Sequence, residues 1–126
     1  MTDKMKVYTK IMQKLKKMMP QTPQNQMATT AIMVAGIVLG RKAQLSAISL
    51  EVPHPAKPAS LEKRMQRFVK NERFEVETNY LPFADLILLH LADKPLVLAT
   101  DGSNIGRGCM AIVVGVIYKQ RAIPLA

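Results

Sequence analysis

The apolar residues of this 126-residue chain change their spacing near residue 95, and this change limits the chain to a mixed fold. Before it, apolar side chains recur every three or four residues, the spacing of helices that bury one face. After it come two apolar runs, Leu96–Asp101 and Cys109–Lys119, and the second is rich in β-branched residues, which favour strands. Lys119-Gln120 predicts a tight turn into a third strand, Arg121–Leu125. The sequence therefore predicts an α+β fold, a helical region followed by three antiparallel strands.

Several segments before residue 95 carry the helical pattern, namely 3–19, 27–39, 42–50, 60–71 and 80–92. Pro20 ends the first of them, and Ser60 is a suitable N-cap for the fourth. Gly36 and Gly40 would let another helix approach the second one closely, unless Gly40 is instead its C-cap. The second and third helices, joined by Gly40 and Arg41, have the size of a helix-turn-helix, as pairs in many helical domains do.

Prolines divide the helical part of the chain. Three of them fall within residues 52–60 and predict an extended connector, in which His54 is expected to be inert. The predicted organisation is a basic helical region that binds DNA (1–52), a proline-rich linker (53–59), a second helical region (60–94) and the strands (95–126). His90, which lies among leucines in the last helix, is expected to be a core or boundary residue.

Positive charge is concentrated in the first part of the chain. Residues 1–73 hold 14 Lys and Arg against four acids, a balance of +10, whereas residues 74–126 hold four against five, a balance of −1. A basic region joined to a near-neutral one indicates that the basic region meets a polyanion, and nucleic acid is the default candidate. An inert, solvated basic surface is the alternative.

The helix predicted for residues 60–71 separates charge from apolar side chains. Leu61, Met65 and Phe68 form its apolar stripe. Its cations recur at helical spacing and are accompanied by one nearby acid, a pattern that fits a surface following DNA phosphates as well as a merely solvated face. The predicted DNA-binding residues of this region are Lys63, Arg64, Arg67, Lys70 and Arg73.

Two helical segments and the single cysteine limit how the chain could interact with membranes and which redox chemistry it could have. The amphipathic segment 3–19 fits a helix packed through its apolar stripe, and also one that binds a membrane surface or calmodulin. Its lysines exclude a signal peptide, and residues 27–39 are shorter than the roughly 20 residues that a spanning helix needs. Cys109, the single cysteine, excludes a disulfide within the chain and is expected to be a small buried hydrophobe in a reduced, cytosolic protein.

Asp101 ends the apolar run that begins at Leu96, and an ionised carboxylate there needs a partner. Three interpretations are open. Asp101 and Gly102 initiate a turn in the glycine-rich connector 102–108; the connector forms a phosphate-binding nest beside the acid; or Asp101 is an oxygen ligand for Mg²⁺.

The segment Leu96–Arg121, LVLATDGSNIGRGCMAIVVGVIYKQR, resembles the first strand and hairpin of the catalytic domain in insertion-sequence transposases of the DDE class. The family pattern is an apolar strand, Asp-Gly-Ser or Asp-Gly-Thr, a short polar stretch, a long apolar strand and a basic turn leading to Pro-Leu. The corresponding residues are Asp101-Gly102-Ser103, Tyr118-Lys119-Gln120-Arg121 and Pro124-Leu125. Residues 64–74, RMQRFVKNERF, are similar to the helical region before the family's catalytic domain.

The resemblance implies a ribonuclease H-like catalytic domain in which two Asp and one Glu hold two Mg²⁺ or Mn²⁺ ions. Asp101 corresponds to the first of these acids, as catalytic residue and metal ligand. Arg107, Lys119 and Arg121 complete the predicted set of DNA-binding cations. The family's second Asp and its Glu lie further downstream, and no other acid here sits at a matching position. We therefore expect a truncated catalytic domain that binds no metal tightly and does not cleave DNA alone.

Two functions follow from these patterns. The first is DNA transposition: the chain would be a truncated transposase that binds the double-stranded ends of an insertion element. It would act as a homodimer or paired with the full-length enzyme. Its expected location is the bacterial cytoplasm and nucleoid, without a membrane partner. The alternative is a small DNA-binding regulator or an inhibitor of the full-length transposase. Binding of residues 3–19 to a membrane surface is a third, less favoured class.

Overall fold

The computed structural model describes Thr2–Leu125 and confirms the α+β class. Over this range six helices precede a three-stranded antiparallel sheet. The elements are α1 (Asp3–Met18), α2 (Gln24–Gly40), α3 (Leu45–Glu51), α4 (Pro58–Val69), α5 (Val76–Asn79), α6 (Leu81–His90), β1 (Leu98–Gly106), β2 (Cys109–Tyr118) and β3 (Arg121–Pro124). Each predicted helix is present within three residues of its expected bounds, and the short α5 is an addition.

The chain divides into two compact units between Tyr80 and Leu81. The first unit contains α1 to α5, and the second contains α6 and the sheet. By sequence pattern α6 belongs to the helical region 60–94, whereas in the structure it belongs with the strands.

The centre of the first unit is α2, which packs against α1, α3 and α4. It is apolar around most of its surface, as a helix with several neighbours must be. The core cluster of this unit consists of Ile32, Ile48, Val52, Leu61 and Met65. Tyr8 of α1 packs against this cluster, and Leu15 is buried, so α1 uses its apolar stripe for packing within the unit.

Two glycines of α2 allow α3 to approach it closely. A Cβ built at Gly36 would lie 2.3 Å from Cγ2 of Ile48. One turn later, a Cβ at Gly40 would lie 3.0 Å from Cγ of Glu51. The predicted close approach of another helix is therefore confirmed. The alternative, Gly40 as the C-cap, is wrong because Gly40 is still helical and Arg41 takes the left-handed conformation, with φ at 55°.

The fourth helix begins earlier than its sequence indicates. Ser60 lies inside α4 and is not its N-cap; Lys57 is, and Pro58 is the first helical residue. Proline is well suited to this position because the first N–H groups of a helix have no partner within it. The extended connector is therefore shorter than predicted.

The helices of the first unit also bear on membrane insertion. Among the residues that the structure describes, no single helix is long and apolar enough to cross a membrane. The helices α2 and α3 reach the required length and composition only together, as a pair bent by 87°.

The strands of the second unit form a meander in the order β1-β2-β3, as predicted. However, the prediction of a connector over residues 102–108 is wrong because β1 continues to Gly106. Gly102 pairs with Ile112 of β2, so this polar segment satisfies its backbone groups in the ladder. The turn is confined to residues 107–108, which both have positive φ, as a two-residue hairpin turn requires.

The second hairpin turn is the one that the sequence predicts. Lys119 and Gln120 have φ values of 47° and 64° and connect β2 to β3. Much of this sheet is exposed, although Val116 is fully buried. Cys109 is exposed too, so the expectation of a buried thiol is wrong; the residue follows directly on the first hairpin turn.

Candidate nucleic-acid interface

The helix α4 separates apolar from basic side chains, as its sequence predicts. Leu61 and Met65 are buried in the core of the first unit. Lys63, Arg67 and Lys70 occupy positions i, i+4 and i+7 and are exposed. Side chains at this spacing share one face of a helix, and Lys70 continues the face as the C-cap residue. We call these three residues the basic face of α4.

Acids do not neutralise the basic face. In α1, by contrast, Lys4 lies 3.0 Å from a carboxylate oxygen of Glu51, and Lys6 lies 3.3 Å from Asp3. Over the described range, no acid comes within ion-pair distance of the basic face. Its positive potential is therefore open to a polyanion.

Arg64 is held in place at the side of α4. Its Nε donates a hydrogen bond of 2.9 Å to Oγ1 of Thr29 on α2. The Thr29 hydroxyl in turn donates to the backbone carbonyl of Asn25, also at 2.9 Å, so its oxygen is oriented to accept from Arg64. Thr29 is buried and Arg64 is half-buried. The N–H groups on both Nη atoms of Arg64 remain for other partners.

Arg64 and Arg67 line an open groove of about 490 Å³ between α2 and α4. The other lining residues are Asn25, Gln26, Thr29, Phe68 and Asn71. The lining thus combines two cations, four uncharged polar side chains and one aromatic ring, and it contains no acid. An anion in this groove would meet positive charge and hydrogen-bond donors without an opposing carboxylate. We call it the arginine groove.

Arg73 lies in a second groove, of about 220 Å³, which shares Gln26 with the arginine groove. Glu75 also lines this second groove, and its negative charge balances the positive charge of Arg73. The structure therefore brings Arg64 and Arg67 together and places Arg73 in an adjoining, less positive site.

His54 is half-buried rather than exposed in the connector. Its Nδ1 accepts a hydrogen bond of 3.0 Å from the backbone N–H of Ala56. Burial and, secondly, the positive charge of Arg64 lower the pKa of His54 below its usual value. Its imidazole is therefore neutral at pH 7, where it stabilises the connector and adds no charge beside Arg64.

The pair α2 and α3 has the angle of a helix-turn-helix, 87° across a short break. However, α3 carries no cation, and its one acid, Glu51, is bonded to Lys4. Its exposed side chains include Ser46 and Leu50. Base edges in the major groove are read mainly by Arg, Lys, Asn and Gln, so α3 lacks the side chains that a reading helix needs.

Asp101 lies in the middle of β1, opposite Val113, and its side chain is exposed. The turn interpretation of this acid is wrong because Gly102 continues the strand. A nest beside Asp101 also fails, since residues 102–105 continue the strand and the positive-φ residues of the turn, 106–108, come only at its far end. In the described part of the chain, no three His, Cys, Asp or Glu side chains are grouped to hold a metal ion.

The three predicted cations of the second unit do not form one cluster. Arg107 and Lys119 lie in the turns at opposite ends of β2, which has ten residues. At about 3.3 Å per residue, this places them about 30 Å apart. Lys119, whose Nζ lies 5.3 Å from the centre of the Tyr118 ring, shares its end of the sheet with Arg121.

The second unit also has a cavity, of about 410 Å³, that periodicity did not predict. Its lining is mainly apolar and comes from α6, the segment after it and the strands β2 and β3: Leu86, Ile87, His90, Leu91, Lys94, Tyr118 and Ile123. His90 is exposed, so the expectation of a core or boundary histidine is wrong. As the last residue of α6, it is not enclosed by the leucines that surround it in sequence.

Comparison of the chain with models of protein families, with curated proteins and with solved structures found no match. Sequence spacing identified Arg64 and Arg67. It missed Thr29, whose bond to Arg64 joins residues 35 positions apart, and no local pattern signals that contact.

Proposed function

We propose that the chain binds duplex DNA through the basic face of α4, with Arg64 and Arg73 beside it. The observation that carries this proposal is a row of exposed cations without acid partners, on a helix whose other face is buried. Cations in such a row contact phosphates and position a protein on DNA without reading its sequence. The competing explanation is a solvated face with no ligand.

The biological context that we propose is transposition. Residues 64–74 and 96–125 resemble parts of a DDE transposase, and the ends of an insertion element would then be the DNA that is bound. On this proposal the strands β1 to β3 belong to a ribonuclease H-like domain, and Asp101 holds the place of its first metal-binding acid. The chain alone does not cut DNA, because one carboxylate cannot hold two metal ions. Mg²⁺-dependent cleavage that is lost in Asp101→Ala would contradict this.

DNA binding is tested by titrating a labelled duplex over a series of salt concentrations. Five phosphate contacts predict a slope of log Kobs against log[salt] of about −4 to −5. The double variant Lys63→Gln/Lys70→Gln should make this slope less steep by about 2. The control Lys10→Gln/Lys14→Gln removes the same charge from α1 and should change the slope little. The proposal would be refuted if the chain did not bind DNA at low salt, or if the slope were zero. Equal losses of affinity in both double variants would refute it as well.

A second function, regulation of a full-length transposase by direct pairing, is favoured by the exposed apolar sheet of the second unit. Leu98, Ile105 and Ile112 are 58%, 67% and 70% exposed. Large exposed apolar patches mark contacts with other proteins. Co-purification with the full-length enzyme, together with reduced cleavage by that enzyme, would support this function. A chain that neither co-purifies nor affects cleavage would exclude it.

A further inference from the structure

We propose that the arginine groove binds a single phosphate group through the guanidinium groups of Arg64 and Arg67. The inference rests on the proposed DNA binding and deepens it. The basic face attracts the polyanion as a whole, whereas the groove holds one phosphodiester of its backbone in a defined position.

The charge of the groove favours an anion. Arg64 and Arg67 are three residues apart on α4, so their side chains are neighbours and their charges repel each other. The lining includes no acid that would relieve this repulsion. The adjoining groove differs in this respect, because Glu75 accompanies Arg73 there. An oxyanion is therefore favoured in the arginine groove and not in its neighbour.

Arg64 is held in a fixed position by Thr29. Thr29 accepts from Nε, so the N–H groups left for a ligand are those of the two Nη atoms. A guanidinium group binds phosphate oxygens in pairs through such N–H groups. Because Thr29 already restricts the side chain, less conformational entropy is lost when a phosphate binds. Thr29 acts as a positioning residue and does not itself contact the ligand.

The side-chain amide of Asn71 is oriented by a hydrogen bond. Its Oδ1 accepts a hydrogen bond of 3.0 Å from the backbone N–H of Arg73. The NH₂ end of the amide is then left to donate, and Asn71 lines the groove. A donor suits an anion, whereas an exposed carbonyl oxygen would repel it.

The chain offers a matched pair of variants for the test. Thr29 and Thr30 both donate to the carbonyl four residues earlier in α2, at 2.9 Å and 2.8 Å. Thr29→Val and Thr30→Val therefore lose the same intrahelical bond, but only Thr29→Val releases Arg64. Any difference between them reports on the position of Arg64 and not on the stability of α2.

The probe is inorganic phosphate, titrated into the full chain and followed by NMR at backbone amides and at the Nε–H of Arg64. Saturable shifts confined to the lining of the groove are expected. Thr29→Val should weaken phosphate binding about three- to tenfold, and Thr30→Val less than about twofold. In an Arg64→Gln background, Thr29→Val should have no further effect, because the two residues act through one interaction. Thermal unfolding of each variant confirms that it is folded.

A parallel titration with short duplex DNA separates the two proposals. If DNA binds with the expected salt slope, but inorganic phosphate shifts the NMR signals of all exposed lysines, the phosphate site in the groove would be refuted. The proposal of DNA binding would then still stand. Saturable phosphate binding in the groove without DNA binding would support the site for free phosphate and overturn the proposed function. Equal losses in Thr29→Val and Thr30→Val would overturn the positioning role of Thr29.

Discussion

Substitution of Gly36 by alanine tests how tightly α3 must pack on α2. The new Cβ would lie 2.3 Å from Cγ2 of Ile48 and 3.1 Å from its Cα. Carbon atoms pack at about 3.5–4.0 Å, so the first contact is too short by more than about 1 Å. A rotamer change of Ile48 would relieve the contact with Cγ2 but not the one with the backbone. Because the Cα of Ile48 is itself too close, and the side chain lies in the core at 1% exposed, α3 must shift.

The expected loss of stability follows from these distances. Overpacking in a core costs about 1–3 kcal/mol, and the higher helix propensity of alanine offsets about 0.5–1 kcal/mol of that. Because α3 must shift, the cost lies in the upper part of its range, and the net destabilisation of the first unit is about 1–2 kcal/mol. For a unit of this size, each kcal/mol lowers Tm by about 4–8 °C, so we expect a fall of about 5–15 °C in a thermal melt followed by circular dichroism.

The matched control is Gly40→Ala on the same helix. Its Cβ would meet Cγ of Glu51 at 3.0 Å, but this side chain is 37% exposed and can move aside. We expect a change within about 0.5 kcal/mol, as for most substitutions away from packed positions. A Gly36→Ala protein as stable as the parent, or a Gly40→Ala protein that loses as much, would refute the packing argument.

Three further predictions address other parts of the chain. In the folded chain the pKa of His54 lies below its usual 6.5, so protonation of His54 favours unfolding. The free energy of unfolding should therefore be highest above pH 6.5 and decrease below it, and the decrease should be smaller in His54→Gln. Identical pH profiles for the two proteins would contradict this. The exposed Cys109 should react with a thiol reagent in native buffer nearly as fast as in urea, and strong protection would show that it is covered. Lys119→Asn/Gln120→Gly should stabilise the second unit by roughly 1–2 kcal/mol in urea unfolding, because both residues have positive φ, which asparagine and glycine adopt at lower cost. No gain in stability would argue against the turn geometry.

The helices could be located from sequence because each has a local cause. In α4, Leu61 and Met65 recur at helical spacing and are buried, while Lys63 and Arg67 fall on the opposite side and are exposed. The start of α4 could not be placed as well. Ser60 and Pro58 are both favourable near a helix N-terminus, and the chain uses Pro58.

The segment around Asp101 shows where local reasoning fails. Glycine, serine and asparagine after Asp101 are typical of a loop, yet residues 102–106 are strand. Pairing with β2 supplies backbone hydrogen bonds along this segment, and such pairing overrides the low strand propensity of its residues. The position of Asp101 within β1, and its exposure, therefore could not be predicted from composition.

The sequence by itself determined the α+β class, the order of the main helices and strands, and the row of cations on α4, because spacing along one element decides which side chains share a face. Only the tertiary structure decided that Arg64 is held by Thr29, that Arg64 and Arg67 line one groove without an acid, and that Arg107 lies far from Lys119. These features join residues that are distant in sequence or separated by the length of a strand. Their physical cause is the packing of α4 against α2 and the pairing of β2 with both of its neighbours.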